Sequence, residues 1–146
     1  MNIDEIATRA FQAALCFNPQ ITLLEKITPE ELDNFFVMWR EGNTYYQVKD
    51  YAIAQKTSGD KWSDKKVKIL FTKSAVLKST YFDTTIILIQ GLAKEPILII
   101  DGIHRAIGIR MASLENKNVS VNLRGILITS PNMSNCIADY SLLVQQ

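Results

Sequence analysis

The chain has 146 residues, 47% hydrophobic and 21% charged, which is enough to bury one proper core, whereas two domains of half that length would each be too small. Its formal net charge of +1 gives no global electrostatic case for nucleic acid or an anionic membrane, so any such contact must rest on a local patch. No run approaches the roughly 18 apolar residues of a membrane span, and the opening MNIDEIATRAF carries acids where a signal peptide carries bases, so the expectation is a cytoplasmic protein, or one exported without a classical signal, with no membrane partner. Cys16 and Cys136 belong to no CxxC pair or metal-ligand cluster and are expected to be buried thiols.

Taken in chain order, residues 3–17 place Ile3, Ile6, Ala7, Ala10, Phe11 and Ala14 at helical spacing, with charges elsewhere around the helix, and Asn18-Pro19 closes the segment. Thr28-Pro29-Glu30-Glu31 combines a capping hydroxyl, a proline at the first helical position and a glutamate three residues after the cap. It predicts a second helix with Leu32, Phe35, Phe36 and Trp39 on its inner face and Gly42 at its end. The tyrosine-rich stretch 43–55 reads as a strand or extended arm.

KTSGDKWSDKKVK follows, with five lysines around Gly59 and Ser63. It is the single basic cluster. As a flap it offers Lys61, Lys65 and Lys66 to a phosphate backbone and Trp62 for stacking, although Asp60 and Asp64 dilute the charge and also fit a solvated loop. Strand patterns come next at Val67–Thr72, Thr85–Gln90 and Ile97–Ile100, with a helix or turn near Ser74–Ser79. Ile103–Leu114 keeps Ile103, Ala106, Ile107, Met111 and Leu114 on one helical face. Val119–Thr129 is a further strand, with a bend expected at Gly125, and Asn135–Val144 is a short helix or an edge strand. This alternation defines a small α+β or α/β domain.

The chemistry concentrates in PILIIDGIHRAIGI, Pro96 to Ile109. A β-branched run suits a strand buried on both faces, and polar groups at its carboxyl end emerge into a loop or cleft, where ligand sites tend to lie. Asp101 can cap the following helix, Gly102 permits a sharp turn and close approach, and the first helical turn exposes N–H groups at the positive end of the dipole. His104, the only histidine of the chain, and Arg105 add side-chain donors, and an arginine fork matches phosphate geometry. The same residues also suit an ordinary Asp-Gly turn in which Arg105 pairs with Glu30, Asp83 or Asp101.

Gly91 to Ala112, GLAKEPILIIDGIHRAIGIRMA, resembles the segment of the ParB/sulfiredoxin-like superfamily in which a glycine precedes a Pro-Ile strand and a Gly-x-His-Arg turn opens a helix. Ile21 to Leu32, ITLLEKITPEEL, loosely resembles the opening of the same domain. The resemblance implies a mixed sheet flanked by helices over residues 1–146, with residues 56–66 as a lysine-rich insertion. It further implies that Gly102, Ile103, His104 and Arg105 bind a nucleotide phosphate, with Asp101 at the acidic position of the Asp-Gly-x-His-Arg variants. Sulfiredoxins carry a catalytic cysteine where this chain has Ile103, so sulfinic acid reduction is not expected. The Gly-Glu-Arg-Arg turn and helix-turn-helix domain of partition proteins are likewise missing from the sequence.

Two chemical readings and one binding reading follow. In a nucleoside triphosphatase or phosphotransferase, His104 and Arg105 hold the phosphates of ATP or another nucleotide, Mg²⁺ bridges them beside Asp101, and Glu30 or Glu31 orients the attacking group. In a nucleic-acid-binding or nuclease-like module the same turn meets a backbone phosphate while Lys61, Lys65 and Lys66 track the strand. The third reading is a non-catalytic domain that uses the fold for protein contacts.

Overall fold

The structure, a computed structural model, describes residues 18–42, 44–52, 81–114 and 120–145. Six strands form one mixed sheet: β1 (Gln20–Leu24), β2 (Phe35–Glu41), β3 (Thr44–Gln47), β4 (Tyr81–Gln90), β5 (Ile97–Asp101) and β6 (Ser120–Thr129). Their order across the sheet is β1-β6-β4-β5-β2-β3. β4 runs parallel to β6 and β2 parallel to β5, and the other neighbours are antiparallel. Helices α1 (Ile103–Leu114), α2 (Met133–Cys136) and α3 (Ala138–Val144) accompany the sheet, together with a 3-10 turn at Glu30–Asn34, and residues 48–52 are also helical. The result is a small α+β domain.

Alternation along the central strands produces two cores. On one face Ile86, Leu88, Ile99 and Leu123 meet Ile103, Ala106 and Ile107 of α1, joined by Leu32 and Val48. On the other face Ile89, Leu98, Ile100 and Ile128 meet Met133, Ile137, Tyr140 and Leu143 of α2 and α3. Because both faces are covered, Leu98, Ile99 and Ile100 are all fully buried, which explains why β5 reads as a continuous apolar run instead of an alternating one. As expected, β5 is interior, lying between β4 and β2.

Several expectations need correction. At Thr28 the Glu31 amide donates to Oγ1 over 3.2 Å, but the segment opens one 3-10 turn with Pro29 at its N-cap and not a helix to Gly42. Phe35 to Met38 then alternate buried and half-buried as β2 and pair with β5. Aromatic and β-branched residues fit a pleated surface better than a helix interior, and the parallel partner settles the choice. Stretch 44–52 is a strand for four residues and helical thereafter.

β4 begins four residues before the expected start. β6 passes Gly125 without a shift in register on either side. The close packing there favours glycine, since a Cβ would sit 2.8 Å from Ile27 Cδ1 and 3.1 Å from Leu88 Cδ1 and would push both aside. The segment after β6 is helical at α2 and α3. Cys136 is not a free thiol but is disulfide-bonded. Among the described residues no helix is long and apolar enough to cross a membrane. The expected helix at 3–17, the lysine cluster, the strand at 67–72 and the turn near 74–79 lie outside the described residues.

Candidate functional site

The polar turn after β5 is built by a single backbone requirement. Gly102 has φ +88°, and a Cβ there would lie 2.5 Å from Ile86 Cγ2, so a side chain is both strained and in collision. With glycine the chain leaves β5 at Asp101 and enters α1 at Ile103. The first helical hydrogen bond runs from the Ala106 amide to the Gly102 carbonyl, 2.9 Å. No acidic residue stands in the first turn of α1, so no carboxylate on that turn offsets the positive end of the helix.

Arg105, on that first turn, is set by three partners. Its Nη1 donates to Thr84 Oγ1 (2.5 Å) and to the Thr85 carbonyl (3.2 Å), and its Nη2 donates to Asp101 Oδ2 (3.4 Å). These bonds come from β4 and from the end of β5, so the guanidinium bridges two neighbouring strands and its own helix. The side chain remains 37% exposed and that of Asp101 25% exposed. An ion pair of this length and exposure is worth at most about 1 kcal/mol. The two hydrogen bonds to β4 therefore carry more of the positioning than the salt bridge does.

The other expected residues divide clearly. His104 is partly buried beside Arg105, and Ile103 turns its side chain into the core, so its contribution to a ligand would be its backbone N–H. Glu30 and Glu31 are exposed on the 3-10 turn, which meets α1 elsewhere. Asp33 of that turn forms a fork with the buried Arg110, at 2.8 and 2.9 Å. Arg110 is five residues from Arg105, about 7.5 Å along the helix. Glu30 is thus not gathered with Asp101 and Arg105. Of the alternatives for Arg105, Asp101 is the partner found, while Asp83 pairs with Arg124 of β6. Lys61, Trp62, Lys65 and Lys66 lie outside the described residues.

Thr84 was not legible as a site residue. Its signal in the sequence is weak: a threonine pair ahead of the apolar run of β4, with nothing to say that residue 84 faces α1. That comes from strand parity, because Ile86 and Leu88 belong to the α1 core and side chains two apart share a face.

Among the described residues no three His, Cys, Asp or Glu side chains gather as a metal site. Asp101 supplies one carboxylate, already shared with Arg105, so the protein's described residues do not form a Mg²⁺ cage by themselves. A separate shallow cavity of about 360 Å³ is lined by Gln20, Gln90, Gly91, Leu92, Thr129 and Ser130 among others. It lies at the far end of β4, six residues or about 20 Å from Thr84. Its named lining is neutral, unlike the turn.

Fold and turn together define a small α+β domain with a mixed sheet covered on both faces and an Asp-Gly-Ile-His-Arg turn opening its longest described helix. Comparison with known proteins gave no match to a protein-family model, to a curated protein or to a solved structure.

Proposed function

We propose that this protein binds the phosphates of a nucleotide at the Gly102–Arg105 turn, in the manner of the ParB/sulfiredoxin-like domains that its sequence resembles. The observation that carries the reading is the convergence, at the Gly102 turn, of a first helical turn that carries no acid of its own with a half-exposed guanidinium already oriented by Thr84 and Thr85. The described bonds occupy three of the five N–H groups of Arg105. The remaining donors suit a bidentate phosphate contact. A phosphate there would also compete successfully with Asp101 for the guanidinium, since the existing bond is long.

The chemistry such a site supports is phosphoryl transfer or hydrolysis, in which positioning and charge stabilisation do most of the work. Arg105 and the first-turn amides would hold and neutralise phosphate oxygens. Asp101, once released from Arg105, would offer one carboxylate to a Mg²⁺ ion carried in with the nucleotide. Backbone-resolved NMR titration with ATP, with and without Mg²⁺, tests the reading. Shifts should concentrate at Gly102 to Ala106 and at Thr84. Shifts confined to the cavity around Gln20 and Gln90, or none at millimolar ATP, would overturn it.

A further inference from the structure

The cavity of about 360 Å³ at the far end of β4 has an ordered floor. The ladders pair Gln20 of β1 with Thr129 of β6, and Thr129 with Gln90 of β4, so these three residues form one row across three adjacent strands. All three face the α1 side of the sheet, because Leu24, Leu127 and Leu88, an even number of positions away on the same strands, belong to or pack against the α1 core. Neighbouring strands lie about 4.8 Å apart, so the row presents a carboxamide, a hydroxyl and a second carboxamide at steps of that size. It stands at the carboxyl ends of the parallel pair β4 and β6, where crevices between diverging loops take ligands. Those loops are tied down. The Ser130 amide donates to the Gln90 carbonyl (3.2 Å), the Gly91 amide to the Tyr140 hydroxyl (2.7 Å) and the Leu92 amide to Glu95 Oε1 (2.6 Å). Gln90 Nε2 donates to the Glu95 carbonyl over 2.9 Å, and since a carbonyl only accepts, the amide is fixed that way round. Among the described residues no hydrogen bond uses Gln90 Oε1 or the side-chain amides of Asn18 and Gln20.

We infer that this cavity is a second binding site, distinct from the Gly102–Arg105 turn, for a neutral, hydroxyl-rich ligand the size of one sugar ring. Among the described residues no charged and no aromatic side chain lines it. An ionic ligand therefore finds no counter-charge, and a nucleobase finds neither a ring nor a guanidinium on which to stack. A sugar hydroxyl donates and accepts at once, as the carboxamides of Gln20 and Gln90 and the hydroxyl of Thr129 together do. The step between strands matches the separation of hydroxyls on alternate carbons of a pyranose. Pro131 and Leu92, which is 58% exposed, border the row and offer apolar surface to the C–H face of such a ring. The volume lies at the small end of ligand pockets, which begin at about 300 Å³.

Backbone-resolved NMR titration of the full chain with D-glucose, D-galactose and D-mannose, each to tens of millimolar, tests the inference, with adenine and uracil as comparison probes. At least one sugar should give saturable shifts at Gln90, Gly91 and Ser130 while Gly102 to Ala106 stay unmoved. Gln20→Ala truncates an exposed side chain and Thr129→Val keeps the shape of its residue, so both variants should melt as wild type does. Each should weaken the sugar by about threefold or more, the loss of one hydrogen bond. No saturable shift with any of the three sugars, sugar shifts confined to the Gly102–Ala106 turn, adenine or uracil binding at the cavity, or sugar binding that neither variant weakens would overturn the inference.

Discussion

Replacing Gly102 by alanine separates backbone strain from collision, because the protein contains its own control. Gly42 and Gly102 both have positive φ, +62° and +88°, but a Cβ at Gly42 meets nothing within 4 Å while one at Gly102 meets Ile86 Cγ2 at 2.5 Å and Arg105 Nη2 at 3.0 Å. Gly42→Ala should cost only the left-handed penalty, about 1–2 kcal/mol. Gly102→Ala should add an overpacking cost of about 1–3 kcal/mol. Ile86 is fully buried and β-branched, so it has little freedom to move aside. The total, about 2–5 kcal/mol, is a large share of the 5–15 kcal/mol that holds a domain of this kind folded. Urea unfolding of both variants, with unchanged m-values, measures the difference directly. Equal midpoints for the two variants would refute the tight turn on which the site is built.

Asp33→Ala should destabilise the fold by about 3–5 kcal/mol, because it leaves the Arg110 guanidinium buried without its fork, as read by thermal or urea unfolding. Asp33→Asn, which keeps one hydrogen-bond acceptor, should cost less. Tyr140→Phe should cost about 2–4 kcal/mol, since its hydroxyl accepts from the Gly91 amide at 2.7 Å and donates to the Pro96 carbonyl at 2.8 Å and both partners lose their bond. Burial pushes the Tyr140 hydroxyl from 10.0 up to about 12. The unfolded chain therefore releases this proton first, and the part of stability that depends on Tyr140 is intact below pH 10 and lost as pH rises toward about 12. The difference in unfolding free energy between wild type and Tyr140→Phe should shrink across that window. A constant difference would contradict the assignment.

Where the sequence was informative, the reason is local chemistry acting alone. β5 and α1 were legible to within one residue at each end because an apolar run, an Asp-Gly turn and a helical period follow one another without competing signals. The segment after Thr28 misled for the opposite reason. A sound helix start there is followed by residues that favour a strand, and the outcome depends on Ile97 and Leu98 of β5, more than 60 positions along the chain, with which Phe35 and Phe36 pair. No local pattern contains that partner. The turn residues Asp101, Gly102, His104 and Arg105 were legible for the same local reason as α1, whereas Thr84 required knowing which face of β4 meets α1. The Asp33–Arg110 fork was invisible because its partners are 77 positions apart, and the disulfide state of Cys136 because two isolated cysteines carry no spacing signature.

Calorimetric titration of wild type, Arg105→Ala and Arg105→Lys with ATP and Mg²⁺, beside the melting temperature of each, tests the phosphate site most directly. Charge-assisted bonds from Arg105 should be worth roughly 1.5–3 kcal/mol, so Arg105→Ala should weaken binding by about tenfold or more. Lysine should restore part of it, because it keeps the charge and loses the fork. Both variants should also melt somewhat lower, since the bonds to Thr84 and the Thr85 carbonyl are lost or altered. If Arg105→Ala melts lower yet binds ATP as wild type does, or if wild type binds none, Arg105 is a structural tie between β4 and α1 and the phosphate reading is wrong.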